Sequence, residues 1–335
     1  MKQFNNSISD SAPGKLMLFG EHAVVYGRPC IVTAVGQRMK TTVELTNEPI
    51  FQLNAPDIQV KAYKKSMSEL GKGEVPKGAK FVEMAVKNFF TSQFTSEVKK
   101  MRLHLGGVMI KTKSEFSSQF GFGGSSASTV CVIKALSELT GAKLSDKAIF
   151  KLAYKTVLDI QGKGSGFDVA AAVFGGTLYF VIGGKIIKPL NLPSLPLIVG
   201  YSGVKADTVT LVNLVKEKAK KYPKVIDDIY NSIADLVNLA KQTLIKGDFQ
   251  TVGELMNFNQ GYLSSLGVSS NKLESMIYAA REAGAWGAKL SGAGIGDCMI
   301  TLASTKARKA VEQAINKAGG QVIDAQTNVE GVRVE

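Results

Sequence analysis

The sequence predicts an α+β fold in two domains, and three observations support this prediction. The first half alternates glycines with short apolar runs, as at residues 16–19 and 31–35, a pattern typical of strands joined by turns. The second half instead places apolar residues at helical spacing. Between them, residues 193–196 contain two prolines, and the character of the chain changes there. We therefore expect an N-terminal domain over residues 1–192 and a C-terminal domain over residues 193–335.

The expected elements of the first half follow from where these patterns begin and end. They are strands within residues 14–48, a helix over 81–93, a strand over 101–112, helices over 126–138 and 145–158, and a strand that enters a hairpin within 175–184. The helix over 126–138 is expected to open directly from a glycine-rich loop. This order mixes strands and helices around one core, as in α+β proteins.

The second half is expected to consist mainly of amphipathic helices. One apolar face is formed by Ile226, Ile229, Tyr230, Ile233, Val237 and Ala240, a second by Leu273, Met276, Ile277 and Ala280, and a third by Ala307, Ala310, Val311, Ala314, Ile315 and Ala318. Ser304 is the expected N-cap of the last helix, and Gly319 follows its end. Short strands over 297–302 and 322–325 should flank that helix.

Composition narrows the class of protein. Apolar residues make up 45% of the 335 residues, enough for a sizeable core. No apolar run approaches the roughly 18 residues of a membrane span, and residues 1–11 lack the apolar middle of a secretory signal. Cys30, Cys131 and Cys298 lie far apart in apolar segments, so we expect buried, reduced thiols and no zinc site. These features predict a cytoplasmic protein with no membrane partner.

The formal net charge of +13 allows two interpretations. One is a nucleic-acid-binding protein, and the other is an enzyme whose ligands are anions. The lysines are spread along amphipathic helices, as at residues 216–221, and they are not interleaved with aromatic residues. We therefore expect small anionic ligands and no nucleic acid. The excess positive charge would raise the local concentration of such ligands.

The first glycine-rich signal runs from residue 11 to residue 27. A Pro-Gly-Lys turn leads into a strand, so Lys15 should occupy a fixed point on a strand edge, and Glu21 and His22 follow the end of that strand. Three ionisable side chains beside rigid turns suit recognition of a polar, anionic substrate. A surface lysine with a capped turn is the alternative, and composition alone favours that alternative.

The second signal is a loop that opens a helix, made of Gly121, Phe122, Gly123, Gly124, Ser125, Ser126 and Ala127. Glycines allow backbone N–H groups to turn toward phosphate oxygens, and the helix N-terminus adds partial positive charge. Either serine could supply a hydroxyl to phosphate or to Mg²⁺. The spacing matches neither common nucleotide-binding glycine motif. A tight turn with serine caps is the alternative, and three glycines ahead of two serines favour the cradle.

Two further signals lie later in the chain. Residues 289–298 combine small residues around Gly292, Ala293 and Gly294, which allow close approach of a ligand or of another backbone, and the two readings are equally supported. Asp168 lies between a glycine run and an apolar segment, where it could accept a proton from a substrate hydroxyl or cap a helix. His104 lies in an apolar strand pattern and is expected to be structural.

Taken in order, these signals resemble the galactokinase–homoserine kinase–mevalonate kinase–phosphomevalonate kinase (GHMP kinase) superfamily over nearly the whole chain. Residues 20–27 and 259–269 resemble its mevalonate kinase members, whereas residues 161–168 and 296–298 are similar to phosphomevalonate kinases. The resemblance implies a two-domain fold, with an N-terminal half like ribosomal S5 domain 2 and a ferredoxin-like C-terminal half.

The resemblance also implies an activity, which is ATP- and Mg²⁺-dependent phosphorylation of mevalonate to 5-phosphomevalonate in the route to isoprenoids. Phosphomevalonate is the alternative acceptor. It implies that the loop 121–127 binds the triphosphate and that Ser126 binds Mg²⁺, with Ser125 in the other register of the motif. Asp168 would take or orient the proton of the substrate hydroxyl, and Lys15 would hold Asp168 ionised and neutralise charge. The residues implied to contact substrate are Glu21, His22, Gly292, Ala293 and Gly294.

The chain departs from the family pattern at several positions. Family members place a magnesium-binding glutamate eleven residues before the catalytic aspartate, and this chain has Val157 there, with Asp159 as a substitute. Mevalonate kinases commonly have glycine where Asp297 stands. A non-catalytic nucleotide sensor and a nucleic-acid-binding protein are the rival classes, and retention of Lys15 and Asp168 argues against the sensor. A homodimer is left open.

Overall fold

The computed structural model describes residues 6–92 and 106–335, and within them the strands form one eight-stranded and one four-stranded sheet. In chain order the elements are β1 (Ser7–Phe19), β2 (Pro29–Thr46), β3 (Ile50–Ala55), β4 (Val60–Ser66), α1 (Lys80–Thr91), β5 (Gly107–Ser114), α2 (Gly124–Leu139), α3 (Asp146–Gln161), α4 (Phe167–Phe174), β6 (Thr177–Val181), β7 (Ile186–Leu190), β8 (Leu197–Tyr201), α5 (Thr208–Lys221), α6 (Pro223–Lys246), α7 (Phe249–Leu266), α8 (Asn271–Glu282), β9 (Gly287–Ser291), β10 (Cys298–Leu302), α9 (Thr305–Lys317), β11 (Gln321–Ile323) and β12 (Arg333–Val334).

The eight-stranded sheet is built around the long antiparallel pair β1 and β2. The C-terminal part of β2, residues 39–46, pairs with β5, and its N-terminal part, residues 29–33, pairs with β6. Strand β2 therefore joins two branches of the sheet. Helices α2 and α4 pack against β1 and β2, while α1 and α3 pack on α2. Alternating apolar residues of both strands, including Met17 and Val32, are completely or almost completely buried beneath these helices.

The four-stranded sheet is antiparallel in the order β11-β8-β10-β9, and it carries the long helices of the C-terminal half. Helices α7 and α8 lie on β9 and β10, and α9 lies on β8 and β11. The apolar faces expected from the sequence are the buried faces of α6, α8 and α9, apart from Ile229, Ala307, Ala310, Ala314 and Ala318, which are less buried. As expected, Ser304 caps α9 by accepting a hydrogen bond from the Ala307 N–H group.

The structure confirms the α+β class and most of the expected elements, with three differences. The sequence patterns did not predict β3 and β4. Burial alternates regularly along β3, at Phe51, Leu53 and Ala55, but not along β4. They also did not predict α7 or β8 as separate elements. The strand expected over 101–112 is β5, which spans Gly107–Ser114, and His104 lies outside the described residues.

The chain passes from one sheet to the other between Leu190 and Leu197, within the segment predicted as the domain boundary. However, β12 pairs with β1, so the last residues return to the eight-stranded sheet. The boundary at residues 192 and 193 remains a prediction, and local sequence patterns could not have indicated this return. Below, the N-terminal half means the part up to Leu190, and the C-terminal half means the part from Leu197.

Two composition-based expectations can also be compared with the structure. Cys30, Cys131 and Cys298 are buried, and none of them forms a disulfide within the described residues. Burial raises the pKa of all three thiols, which agrees with unreactive core positions. Among the described helices, none combines the length and the apolar character needed to cross a membrane.

The packing of α7 on β9 depends on Gly253 and Gly287, which bring the backbone of the helix against that of the strand. A Cβ atom on Gly253 would lie 2.6 Å from the carbonyl carbon of Trp286. Gly253→Ala should therefore destabilise the protein by about 1–3 kcal/mol, because the helix must move away from the strand. Gly261→Ala is the matched control, since Gly261 lies in the same helix, is exposed and faces open space.

In the control, alanine should stabilise the helix by about 0.5–1 kcal/mol relative to glycine. Urea unfolding of both variants measures the two changes in the free energy of unfolding. Equal effects of the same sign would contradict the close helix–strand contact.

Candidate active site

Lys15 is held against the second glycine-rich loop by two hydrogen bonds. Its backbone N–H donates to the carbonyl of Phe122 at 3.0 Å, and its ammonium Nζ donates to the carbonyl of Gly121 at 2.6 Å. The ammonium also lies 5.5 Å from the centre of the Phe167 ring. The side chain is largely buried, with 8% of its surface exposed. Lys15 is therefore a buried cation held in a fixed place beside the loop 121–127.

The loop 121–127 forms a tight turn that ends in the N-terminus of α2. Gly121 and Gly123 adopt positive φ angles of +71° and +79°, which only glycine adopts without strain. Gly123 is the N-cap of α2, and no side chain caps the helix. The first N–H groups of α2 are thus not taken by a capping side chain, which is the arrangement that binds anions at helix N-termini. The serine-capped turn considered as the alternative is not formed.

Asp168 enters the same space from α4. The helix begins after Gly166, where φ is +90°, and no side chain caps it, so Asp168 does not act as its N-cap. Ser126 donates a hydrogen bond to Oδ2 of Asp168 at 3.4 Å. A Cβ atom on Gly123 would lie 3.3 Å from Lys15 Cε and 3.5 Å from Asp168 Cβ. The structure therefore brings Lys15, Ser126 and Asp168 together around one glycine.

Glu21 does not face the cleft in the way that the sequence led us to expect. Its side chain is only 1% exposed and forms an ion pair with Lys289, which lies in β9 and is completely buried. Burial raises the pKa of Glu21 and lowers the pKa of Lys289, although the attraction between the two charges opposes both shifts. Through Oε1, Glu21 thus forms a contact between the two halves, whereas its buried Oε2 atom accepts no hydrogen bond from the described residues.

His22 lies next to this ion pair and contacts the third glycine-rich loop. Its Nε2 donates to the carbonyl of Ala293 at 2.9 Å, and its backbone has a positive φ of +60°. Burial lowers the pKa of His22, which favours the neutral imidazole. His22 and Ala293 therefore lie together where the two halves meet.

The sequence left open whether the glycines of the third loop allow close approach of a ligand or of another backbone, and the structure shows that they differ. A Cβ atom on Gly294 would lie 1.9 Å from the carbonyl oxygen of Val268, so Gly294 serves backbone packing. Gly292, with φ of +105°, instead faces open space. Just before the loop, Ser291 Oγ accepts from the Met17 N–H group at 3.0 Å and donates to the Met17 carbonyl at 2.9 Å. This loop is consequently anchored to β1.

Where family members have a magnesium-binding glutamate, this chain has a valine that packs in an apolar environment. Val157 is 5% exposed and belongs to the core of the N-terminal half. Asp159, the suggested substitute, accepts hydrogen bonds from Asn88 at 2.8 Å and from Lys155 at 2.5 Å on the surface between α1 and α3. Its carboxylate is therefore engaged away from the loop 121–127.

The oxygen atoms of Ser126 and Asp168 are the donor types that Mg²⁺ prefers. Within residues 6–92 and 106–335 there is no cluster of three or more His, Cys, Asp or Glu side chains that could form a metal site by themselves. This agrees with a cation that takes few protein ligands and shares the oxygens of a bound phosphate. The residues present therefore fit Mg²⁺ held together with a phosphorylated ligand.

Two residues at the site escaped the sequence analysis as functional candidates. Lys289 is a charged residue in an otherwise apolar strand, and that isolated charge was the available signal. Asp297 lies against Gly121, where a Cβ atom would be 2.3 Å from its Oδ2 atom. In the sequence, Asp297 is distinguished only as a departure from the family pattern, because nothing in the local sequence connects it to a loop 176 residues earlier.

Comparison with known proteins identifies the same regions. Residues 83–176 match the family model "GHMP kinases N terminal domain", and residues 239–321 match "GHMP kinases C terminal". The mevalonate kinase of Thermococcus onnurineus is 37% identical over 331 residues, covering 97% of each chain. The crystal structure of Methanococcus jannaschii mevalonate kinase superposes with a TM-score of 0.78 at 26% identity, covering 96% of this chain and 98% of that one.

A second solved structure is the mevalonate kinase of L. major in complex with R-mevalonate. It superposes with a TM-score of 0.74 at 26% identity, and the match covers 96% of both chains. The similarity therefore extends over both sheets.

The buried Glu21–Lys289 pair provides a test of how the two halves are joined. Lys289→Met should destabilise the protein by about 3–5 kcal/mol, because it leaves the Glu21 carboxylate buried without a partner. The double variant Glu21→Leu/Lys289→Met should recover a large part of this loss, since no charge then remains buried. Chemical denaturation measures both free energies.

Lys224→Met is the matched control, because the Lys224–Asp228 pair is exposed and should contribute little to stability. A double variant as unstable as Lys289→Met alone would contradict the proposed cause.

Proposed function

The chain belongs to the GHMP kinase family, and from this premise we propose that it transfers the γ-phosphoryl group of ATP to mevalonate, forming 5-phosphomevalonate. The identity of 35–37% to mevalonate kinases, over 97% of the chain, supports this acceptor. The observation that carries the proposal is the meeting of Lys15, Ser126 and Asp168 around the loop 121–127. Phosphoryl transfer requires mainly positioning and charge neutralisation, and these three residues can supply both.

The loop 121–127 and the N-terminus of α2 are proposed to bind the triphosphate. Backbone N–H groups of the loop and of the first helical turn would donate to phosphate oxygens, and the helix dipole favours the negative charge. Ser126 would hold Mg²⁺, with Asp168 beside it. When bound, Mg²⁺ neutralises part of the phosphate charge that develops during transfer.

Asp168 is proposed to accept or orient the proton of the acceptor hydroxyl. As the acceptor oxygen bonds to the γ-phosphorus and the bond to the departing ADP oxygen breaks, the hydroxyl must release its proton. Lys15 lies on the other side of Gly123 and would lower the pKa of that hydroxyl and stabilise negative charge on the transferred group. Its hydrogen bond to Gly121 fixes the ammonium in advance, so little reorganisation is needed.

The acceptor is proposed to lie beside His22 and the third glycine-rich loop, on the side where Gly292 leaves open space. His22 would contact the acceptor directly, and Ala293 and Gly294 would shape the wall around it. Glu21 is given a different role from the one first expected. It would position His22 and the third loop through its ion pair with Lys289.

The acceptor can be tested with a coupled assay of ADP release. Mevalonate, phosphomevalonate, galactose and homoserine are offered separately to the purified protein with Mg²⁺ and ATP. We expect mevalonate to give the highest kcat/KM, and mass spectrometry should detect 5-phosphomevalonate. Preference for phosphomevalonate would assign the chain to the next phosphorylation instead, and ADP release without any acceptor dependence would contradict both.

The roles of Asp168 and Lys15 can be tested by substitution. Asp168→Ala and Lys15→Met should each lower kcat by about 10²–10⁴, the range typical of acid–base groups, while the far-ultraviolet circular dichroism spectrum stays unchanged. Asp159→Asn is the matched control, because this carboxylate lies nine residues away and is bonded to Lys155 and Asn88. Turnover at the wild-type rate in either active-site variant would refute its assignment.

A further inference from the structure

Asp297 is a charged residue at the cleft for which the proposed mechanism has no role. It lies between β9 and β10, and 8% of its surface is exposed. Its Oδ1 atom accepts a hydrogen bond from the Ala206 N–H group at 2.9 Å. Within the described parts of the chain, no hydrogen-bond donor reaches its Oδ2 atom. A buried carboxylate with one free oxygen is costly unless positive charge lies near it.

The backbone holds this carboxylate in one direction. Asp297 has a positive φ of +56°, its N–H group donates to the Val204 carbonyl at 2.7 Å, and its carbonyl accepts from Ser202 at 2.9 Å. Positive φ angles are uncommon for residues other than glycine and concentrate at functional sites. The segment 202–206 and the turn before β10 thus fix where the side chain points.

The Oδ2 atom of Asp297 lies against Gly121 of the loop 121–127. A Cβ atom on Gly121 would be 2.3 Å from Oδ2, so the carboxylate occupies the space that any larger residue at 121 would need. The carbonyl of Gly121 is the acceptor for the Lys15 ammonium. Next to it, the Cys298 thiol donates to the Phe120 carbonyl at 3.3 Å. The C-terminal half therefore contacts the loop at the residues that hold Lys15.

Lys15 and Asp297 interact through their charges, although they form no ion pair with each other. Lys15 forms no ion pair with any residue in the described ranges, although it is largely buried. Its positive charge and that of Lys205 lower the pKa of Asp297, but burial raises that pKa more. The other titratable groups beside Asp297 are Tyr201 and Cys298, and burial raises the pKa of both, so they stay neutral. Lys15 is thus a buried cation whose charge acts on Asp297.

We propose that Asp297 is a positioning residue for phosphoryl transfer, whose negative charge holds the Lys15 ammonium at the Gly121 carbonyl. The proposal rests on the proposed function, because it takes Lys15 to act on the transferred group. Asp168 and Lys15 both lie against Gly123, whereas Asp297 lies against Gly121, whose carbonyl accepts from the Lys15 ammonium. Since Asp297 belongs to the C-terminal half, Lys15 is fully positioned only when the two halves are docked.

Asp297→Asn is the decisive variant. Asparagine keeps the shape of the side chain, tolerates a positive φ and can still accept from Ala206, but it removes the charge. We expect kcat to fall about tenfold or more, equivalent to a barrier increase of at least ~1.4 kcal/mol. The KM values for both substrates should change much less, because the loop and the acceptor site are retained. Thermal unfolding should stay close to wild type.

A double-variant cycle tests the contact itself. Gly121→Ala should destabilise the protein through a clash with Asp297 and through its φ of +71°, whereas Gly141→Ala, with φ of +68° in open space, reports the backbone strain alone. In Gly121→Ala/Asp297→Gly the clash is absent, so the loss should be smaller than the sum of the single losses. Additive losses would overturn the placement of the carboxylate against Gly121.

Three outcomes decide the proposal. A wild-type kcat in Asp297→Asn would overturn it, and so would a Mg²⁺ requirement raised more than tenfold, which would make Asp297 a metal ligand. Loss of kcat at unchanged Mg²⁺ dependence supports it. If Asp297→Asn does not fold, Asp297→Gly is measured, since glycine suits the positive φ there. The ratio of variant to wild type is taken on whichever alcohol the wild type phosphorylates, so a wrong acceptor is distinguished from a wrong role.

Discussion

The attachment of β1 to the loop 121–127 and to the third glycine-rich loop is the constraint on which the site depends. At Lys15 the strand bonds to Gly121 and Phe122 of the N-terminal half, and two residues later Met17 bonds to Ser291 of the C-terminal half. Because these contacts lie on one rigid strand, the spacing of the two loops is set by the rise of a β-strand. The two loops are therefore held at a defined separation without a linker that has to be ordered.

Buried charge reinforces this arrangement. The Glu21–Lys289 pair lies where the two halves meet, and because either ion buried alone is costly, the pair disfavours any packing of the halves that buries one charge without the other. Lys15, by contrast, forms no such pair among the described residues and remains bonded to a carbonyl. The difference has a physical consequence. A paired lysine contributes to structure, whereas an unpaired one keeps its charge available for an anionic ligand.

Much of the fold could be predicted from the sequence because its signals are local. The helices of the C-terminal half are indicated by apolar residues three and four positions apart, and Ser304 and Gly319 mark the ends of one of them. The return of β12 to β1 could not be predicted in this way, since pairing between distant strands leaves no local pattern. The strands β3 and β4 were missed for a different reason: β4 has no regular alternation, and the alternating run of β3 is only six residues long. The same limit hid the contact between Asp297 and Gly121.

What the sequence by itself determined was the set of chemical parts: a lysine after a Pro-Gly turn, a glycine loop that opens a helix, and an aspartate at the start of another helix. Each of these depends on neighbouring residues, so local rules were sufficient. The tertiary structure decided how the parts are used. It paired Glu21 with Lys289, left Asp159 on the surface with Lys155, and placed Asp297 beside the loop. These outcomes depend on distances between residues far apart in the chain, and only the packing of the two halves sets those distances.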